Sequence, residues 1–138
     1  MRYVLIFKST AFSEAGVKCD PHFAARREAY AKSLANAGML LADESLLPSS
    51  GGFRITLSPD GEATSTAAGP LSAESGLMES FIMLEAHSIE EALEWAKKAP
   101  VPKGRGEAEI ELRQLSDQEE TYHDPNIMAM ETNLREHI

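Results

Sequence analysis

Three observations predict that this chain of 138 residues adopts an α+β fold built on a ferredoxin-like antiparallel sheet. Extended and helical patterns follow one another in the order β-α-β-β-β-α-β, which joins two helices through antiparallel strands. Only two main helices are available, so both cover the same sheet face. The first and fifth strands are apolar on both parities, so the opposite face needs a cover too, and a second copy of the sheet would supply one. A homodimer is therefore expected.

The elements follow in order. Arg2 to Lys8 is dense in β-branched and aromatic residues, with Tyr3, Leu5 and Phe7 on one parity and Val4 and Ile6 on the other. Ser9 to Lys18 mixes Ser, Gly and charge without period and reads as a loop. Asp20-Pro21 then supplies a helix cap followed by the ring suited to a first helical position. Phe23, Tyr30, Leu34 and Ala37 fall near one helical stripe, and Gly38 stops the helix. Met39 to Leu47 is extended, Pro48 to Gly52 is a cluster of turn formers, and Phe53, Ile55 and Leu57 alternate with Arg54, Thr56 and Ser58. The spacing predicts a hairpin between these two stretches. Pro59-Asp60-Gly61 turns the chain into a short polar edge strand, Glu62 to Thr66.

Glu79 to Glu85 reads as a strand, and Ser88 with Glu91 forms a capping box ahead of the second helix. Its inner stripe is read as Ile89, Leu93 and Ala96, with Ala92 and Trp95 at the margins, and Pro100 and Pro102 end it. Glu107 to Leu115 alternates cleanly and closes the sheet. Past it, Asp124-Pro125 precedes Ile127, Met130, Leu134 and Ile138 at helical spacing. The division is thus a domain over 1–115 and an extension over 116–138 carrying an amphipathic helix.

Composition narrows the function. Thirteen Lys+Arg against 22 Asp+Glu give a formal net charge of -9, which repels phosphate backbones and anionic lipid, so neither nucleic acid nor membrane is an expected partner. No apolar run approaches the roughly 20 residues that span a bilayer. One cysteine, Cys19, and no basic-then-apolar leader point to a reducing cytoplasm.

Three stretches resemble the YCII-related proteins, specifically the branch named for an Asp-Gly-Pro-Phe motif. They are Glu14-Ala-Gly-Val17, Ala37 to Glu44 running on to Leu47-Pro48, and Ser88 to Ala96 together with Glu107 to Gln114. The naming motif reads Ala68-Gly-Pro-Leu71 here. The resemblance implies a dimeric α+β barrel. It also implies a place to look for chemistry, because some relatives use a helix-one histidine and an aspartate before proline as an acid/base pair in dehalogenation-type elimination. The corresponding positions are Arg27 and Ala99-Pro100. Arginine does not relay protons near neutral pH and alanine cannot orient a base, so that dyad is absent.

Glu44 stands on a largely apolar parity with Leu40, Ala42 and Leu46 and needs a partner. A hairpin closing about Ser49 would set it opposite Arg54. The pair reads either as a structural ion pair or as a polar floor, with Glu44 as base and Arg54, Glu44 and Arg27 as ligand contacts. His22, at the start of the first helix, is the second candidate base. The four histidines show no paired spacing, so no metal is expected, and the glycines of Gly51-Gly52 and Gly104-Arg-Gly106 lack the context of a cofactor loop. Two functions remain open. One is a small-molecule binding or regulatory accessory protein with a cavity between sheet and helices. The other is a cofactor-free enzyme for elimination, isomerisation or oxygenation, using Glu44 or His22.

Overall fold

The computed structural model describes residues 1–18, 20–72, 76–104 and 106–116; Cys19 and the helix expected after Asp124 lie outside them. The described elements run β1 (Arg2–Lys8), α1 (Ala11–Glu14), α2 (Phe23–Asn36), β2 (Leu40–Ser45), a 3-10 turn (Ser49–Gly51), β3 (Phe53–Leu57), β4 (Ala63–Ala68), β5 (Met78–Glu85), α3 (Ile89–Lys97) and β6 (Ile110–Gln114). Four strands form one sheet in the order β2-β5-β1-β6, antiparallel throughout, while β3 and β4 pair only with each other. With the β3–β4 insertion set aside, this is the ferredoxin-like α+β arrangement.

The apolar parity of the two central strands sets the layers. Tyr3 lies opposite Leu84, Leu5 opposite Ile82 and Phe7 opposite Ser80, so these side chains share one face. All six are buried, and they pack with Tyr30 and Leu34 of α2 and Ala92 of α3 into one core. On the other face Val4 lies opposite Met83 and Ile6 opposite Phe81, all only half-buried.

Local chemistry explains the boundaries. Between Ser9 and Lys18, where a loop is expected, Thr10 and Ser13 exchange a capping box around α1: the Ser13 N–H donates to Thr10 Oγ1 at 3.1 Å and the Thr10 N–H to Ser13 Oγ at 2.8 Å. The main helix starts later than Asp20-Pro21 suggests, with His22 as its uncapped N-cap residue. It ends as expected, in a Schellman closure. The Gly38 N–H donates to Ala35 O and the Met39 N–H to Leu34 O, which requires the φ of +73° that glycine adopts freely. At Ser88 the cap forms, its Oγ accepting the Glu91 N–H at 3.1 Å.

Three expectations are corrected. The hairpin between Met39–Leu47 and Phe53–Leu57 does not form, because β2 pairs with β5 and β3 turns back on β4 through Asp60-Gly61. The fourth strand is Ala63–Ala68 rather than Glu62 to Thr66. The buried side of α3 is also rotated: Ala92 is 0% exposed, with Trp95 and Ala96 packed beside it, while Ile89 and Leu93 are 45% and 42% exposed. The inward side is Ala92, Trp95 and Ala96, with the Trp95 ring edge-on to Tyr30 of α2.

That rotation is testable by chemical denaturation. Ala92→Leu overfills a closed site and is expected to cost about 1–3 kcal/mol, whereas Leu93→Ala on the outward side is expected to cost less than about 1 kcal/mol.

Candidate functional site

Helix α2 carries Phe23, Tyr30 and Leu34 toward the sheet, and Arg27 falls on the same stripe, four residues after Phe23 and three before Tyr30. A guanidinium is thereby placed over the inner face of the sheet. Its side chain is only 11% exposed. Nη1 donates to Ser80 Oγ at 3.0 Å and Nη2 to Asp43 Oδ1 at 2.9 Å, while the guanidinium carbon lies 4.2 Å from the centre of the Phe7 ring. Opposite charge, a hydroxyl and an aromatic face together compensate the loss of water. Nε is buried and has no hydrogen-bond partner among the described residues.

Asp43 reaches this position through an irregularity in β2. The register against β5 shifts between Leu40 and Ala42, so that Leu40 faces Leu84, Ala42 faces Met83 and Asp43 faces Ile82. One extra residue reverses the parity of everything after it. Asp43 consequently shares the buried face with Leu40, and Glu44, opposite Phe81, stands exposed on the other side. This corrects the expected Glu44–Arg54 pair, since Arg54 lies opposite Ala67 on the separate two-stranded sheet.

Beside Arg27 opens a narrow crevice of about 20 Å³. Phe7, Phe23, Val101, Pro102 and Ile110 form its apolar walls, and Glu79 and Glu109 stand at its polar margin. The rim is held by a second ion pair. Arg26 grips Asp20 with both terminal nitrogens, at 2.8 and 3.1 Å, and also donates to Val101 O at 3.1 Å. The Lys103 N–H donates to Asp20 Oδ2 at 3.0 Å. Asp20 thus ties the loop after α3 to the start of α2, and its Oδ1 also accepts the His22 N–H at 3.2 Å, as an N-cap carboxylate does. The Arg26 hydrogen bonds, and after them the Lys103 N–H, hold its carboxyl well below the ordinary aspartate range, against a smaller opposing effect of desolvation. Deeper in the core, burial pushes the Tyr30 hydroxyl up to about 12, and it donates to Trp95 O at 2.6 Å.

Of the candidate residues, Arg27 lines the crevice, and Glu44, His22 and Arg54 do not. His22 is exposed at the head of α2. Asp43 and Ser80 were missed by sequence reasoning. Nothing local reveals the β2 irregularity, whereas Arg27, expected as a ligand contact, stands on the helical stripe with Phe23 and Tyr30. Among the described residues, no three His, Cys, Asp or Glu side chains gather as a metal site would require, and no helix is long and apolar enough to cross a membrane.

The family model of the YCII-related domain matches residues 1–116. Among solved structures, 5-chloro-2-hydroxyhydroquinone dehydrochlorinase from Burkholderia phenoliruptrix AC1100, in complex with 2,5-dihydroxybenzoquinone, is similar at 16% identity and a TM-score of 0.47, with 87% of this chain and 98% of that chain covered. No curated protein matches.

Two predictions test the site. Asp43→Ala leaves a mostly buried guanidinium without its counter-charge and is expected to cost about 2–4 kcal/mol. Glu44→Ala, one residue away, is expected to stay within about 0.5 kcal/mol in the same denaturation assay. The second concerns pH. Because the folded state depresses the Asp20 carboxyl, its contribution is complete above the unfolded aspartate value of about 4 and is lost as pH falls toward the depressed one. Asp20→Asn is expected to melt below the native chain at neutral pH, with the gap closing only on acidification below that range.

Proposed function

The chain belongs to the YCII-related domain family, and from that premise we propose that it is a small-molecule-binding protein of regulatory or accessory role, with its ligand in the crevice beside Arg27. The observation that supports this reading is the guanidinium itself: a cation on an apolar-walled crevice, with one buried N–H lacking an acceptor among the described residues. An unmet buried donor costs about 1–3 kcal/mol, which an oxygen acceptor on a ligand would relieve. The chemistry of the lining describes the ligand. Phe7, Phe23, Val101 and Ile110 favour an apolar body, while Glu79 and Glu109 disfavour a polyanion. The lining suits a small, mainly apolar molecule bearing one oxygen acceptor, for which the narrow crevice must widen.

In the same reading the chain works in the cytoplasm as a homodimer, each copy shielding the half-buried Val4, Ile6, Phe81 and Met83 of the other's outer sheet face. The enzyme alternative draws support from one feature, the Glu79 carboxylate at the crevice, a better-placed base than Glu44 or His22.

A thermal-shift screen of small oxygenated apolar compounds tests the proposal, since a ligand selective for the folded state raises its melting temperature. Compounds that stabilise the native chain are expected to leave Ala108→Trp unmoved, because Ala108 is an exposed residue on the crevice wall and the indole would fill the space. Stabilisation that is equal in both proteins would overturn the crevice as the site. Turnover of a bound compound, lost in Glu79→Gln while binding persists, would move the reading to the enzyme.

A further inference from the structure

The crevice beside Arg27 holds about 20 Å³, room for a water molecule and little more. A larger molecule enters only if one wall gives way, and what fastens each wall decides which. Phe7, Ser80 and Ile110 stand on β1, β5 and β6, inside a continuous antiparallel ladder. Phe23 and Arg27 ride on α2, which Tyr30 and Leu34 anchor in the core, and Arg27 is itself fastened to Ser80 and Asp43. The remaining side is the strap 99–104 that follows α3. There Val101 and Pro102 line the crevice half-buried, while Lys103 and Gly104 are exposed.

The strap is held in a different way. The Ala99 N–H still closes α3 on Ala96 O, but from there to Gly104 no backbone-to-backbone hydrogen bond ties the strap to another element among the described residues. Pro100 and Pro102 have no N–H to offer. One carboxylate does the fastening instead. Asp20 accepts the Lys103 N–H at 3.0 Å and two bonds from Arg26, and Arg26 in turn donates to Val101 O at 3.1 Å. The side chains of Asp20 and Arg26 are 20% and 32% exposed, so water can take up these bonds as they part. Gly104, at φ +83°, gives the far end a residue that changes backbone conformation at low cost.

Resting on the reading of the crevice as a ligand site, we propose that the strap 99–104 is its gate and that Asp20 with Arg26 is the latch. When the latch parts, Val101 and Pro102 leave the crevice and uncover Phe7, Phe23 and Arg27. When it reforms, they close over the molecule inside. The motion is local, because it breaks the bonds gathered on Asp20 and Arg26 and none of the sheet ladder, so it costs less than unfolding the domain. Asp20 and Arg26 are positioning residues in this scheme: they touch the strap, and the ligand meets Arg27.

Thiol labelling reads the gate without a ligand. In the full chain carrying Cys19→Ser, Ser80→Cys sets a thiol on the buried wall of the crevice and Ala92→Cys sets one in the closed core, and an aryl disulfide reagent reports when each is uncovered. The crevice thiol is expected to react at a rate that low urea leaves unchanged, since strap opening exposes little surface. Asp20→Asn, which removes the charge from the latch, is expected to raise that rate at least about tenfold. The core thiol is expected to react far more slowly and to accelerate with urea, as global unfolding requires. Should Ser80→Cys not fold, hydrogen exchange of the Lys103 amide in the native chain and in Asp20→Asn gives the same two readings. A crevice thiol that follows urea in parallel with the core thiol, or whose rate Asp20→Asn leaves unchanged, overturns the gate. The ligand reading fails separately, when no compound of the thermal-shift screen stabilises the native chain.

Discussion

The constraint that organises the molecule is the burial of one guanidinium under α2. The inner face of the central strands is apolar at every position except Ser80, and Arg27 is laid on that exception. Such a charge can stay only if its partners are fixed, because removing one leaves the other uncompensated in a poorly solvating place. Asp43 meets that demand through the irregular register of β2, and Phe7 meets it with an aromatic face. The crevice follows from the same arrangement. Arg27 lines the crevice at one end of α2, while at the other end Leu34 is fully buried.

The two ends of α2 therefore do different work. Toward its C-terminus, Tyr30 and Leu34 seal the core, and the chain leaves through a glycine closure that allows no slack. Toward its N-terminus, Arg26 and Arg27 divide two tasks between adjacent residues. Arg26 points to Asp20 and the Val101 carbonyl and holds the rim loop, while Arg27 points inward and lines the crevice. Rim and floor are set by the same turn of helix, so a change in one is felt by the other.

The outward surfaces are equally partitioned. Charge lies in exposed pairs such as Lys8 with Glu111, where the lysine holds the glutamate's carboxyl low, and such pairs add little stability. Apolar surface lies beside these charges on the outer sheet face and, more exposed, on the β3–β4 hairpin. Glu14, Ser49 and Leu71 tie the base of the β3–β4 hairpin together, and Gly69 stands there because a Cβ would lie 1.7 Å from Ser49 O.

The sequence alone determined the kind and order of the elements. Density of β-branched and aromatic residues marked Arg2–Lys8, the Ser88 cap marked the second helix, and Gly38 marked the end of the first, because each rests on backbone preferences acting over a few residues. The α+β class and the ferredoxin-like sheet followed from that order. Tertiary structure decided which strand β2 joins, which side of α3 turns inward and which carboxylate stands inside. Each of these depends on something that local pattern does not encode: a single extra residue in β2 that exchanges Glu44 for Asp43, the rotation of α3 that buries Ala92 and exposes Leu93, and the choice of β5 rather than β3 as the partner of β2. Period is a property of a segment, but parity and partner are properties of the packed whole, and the site is built from parity and partner.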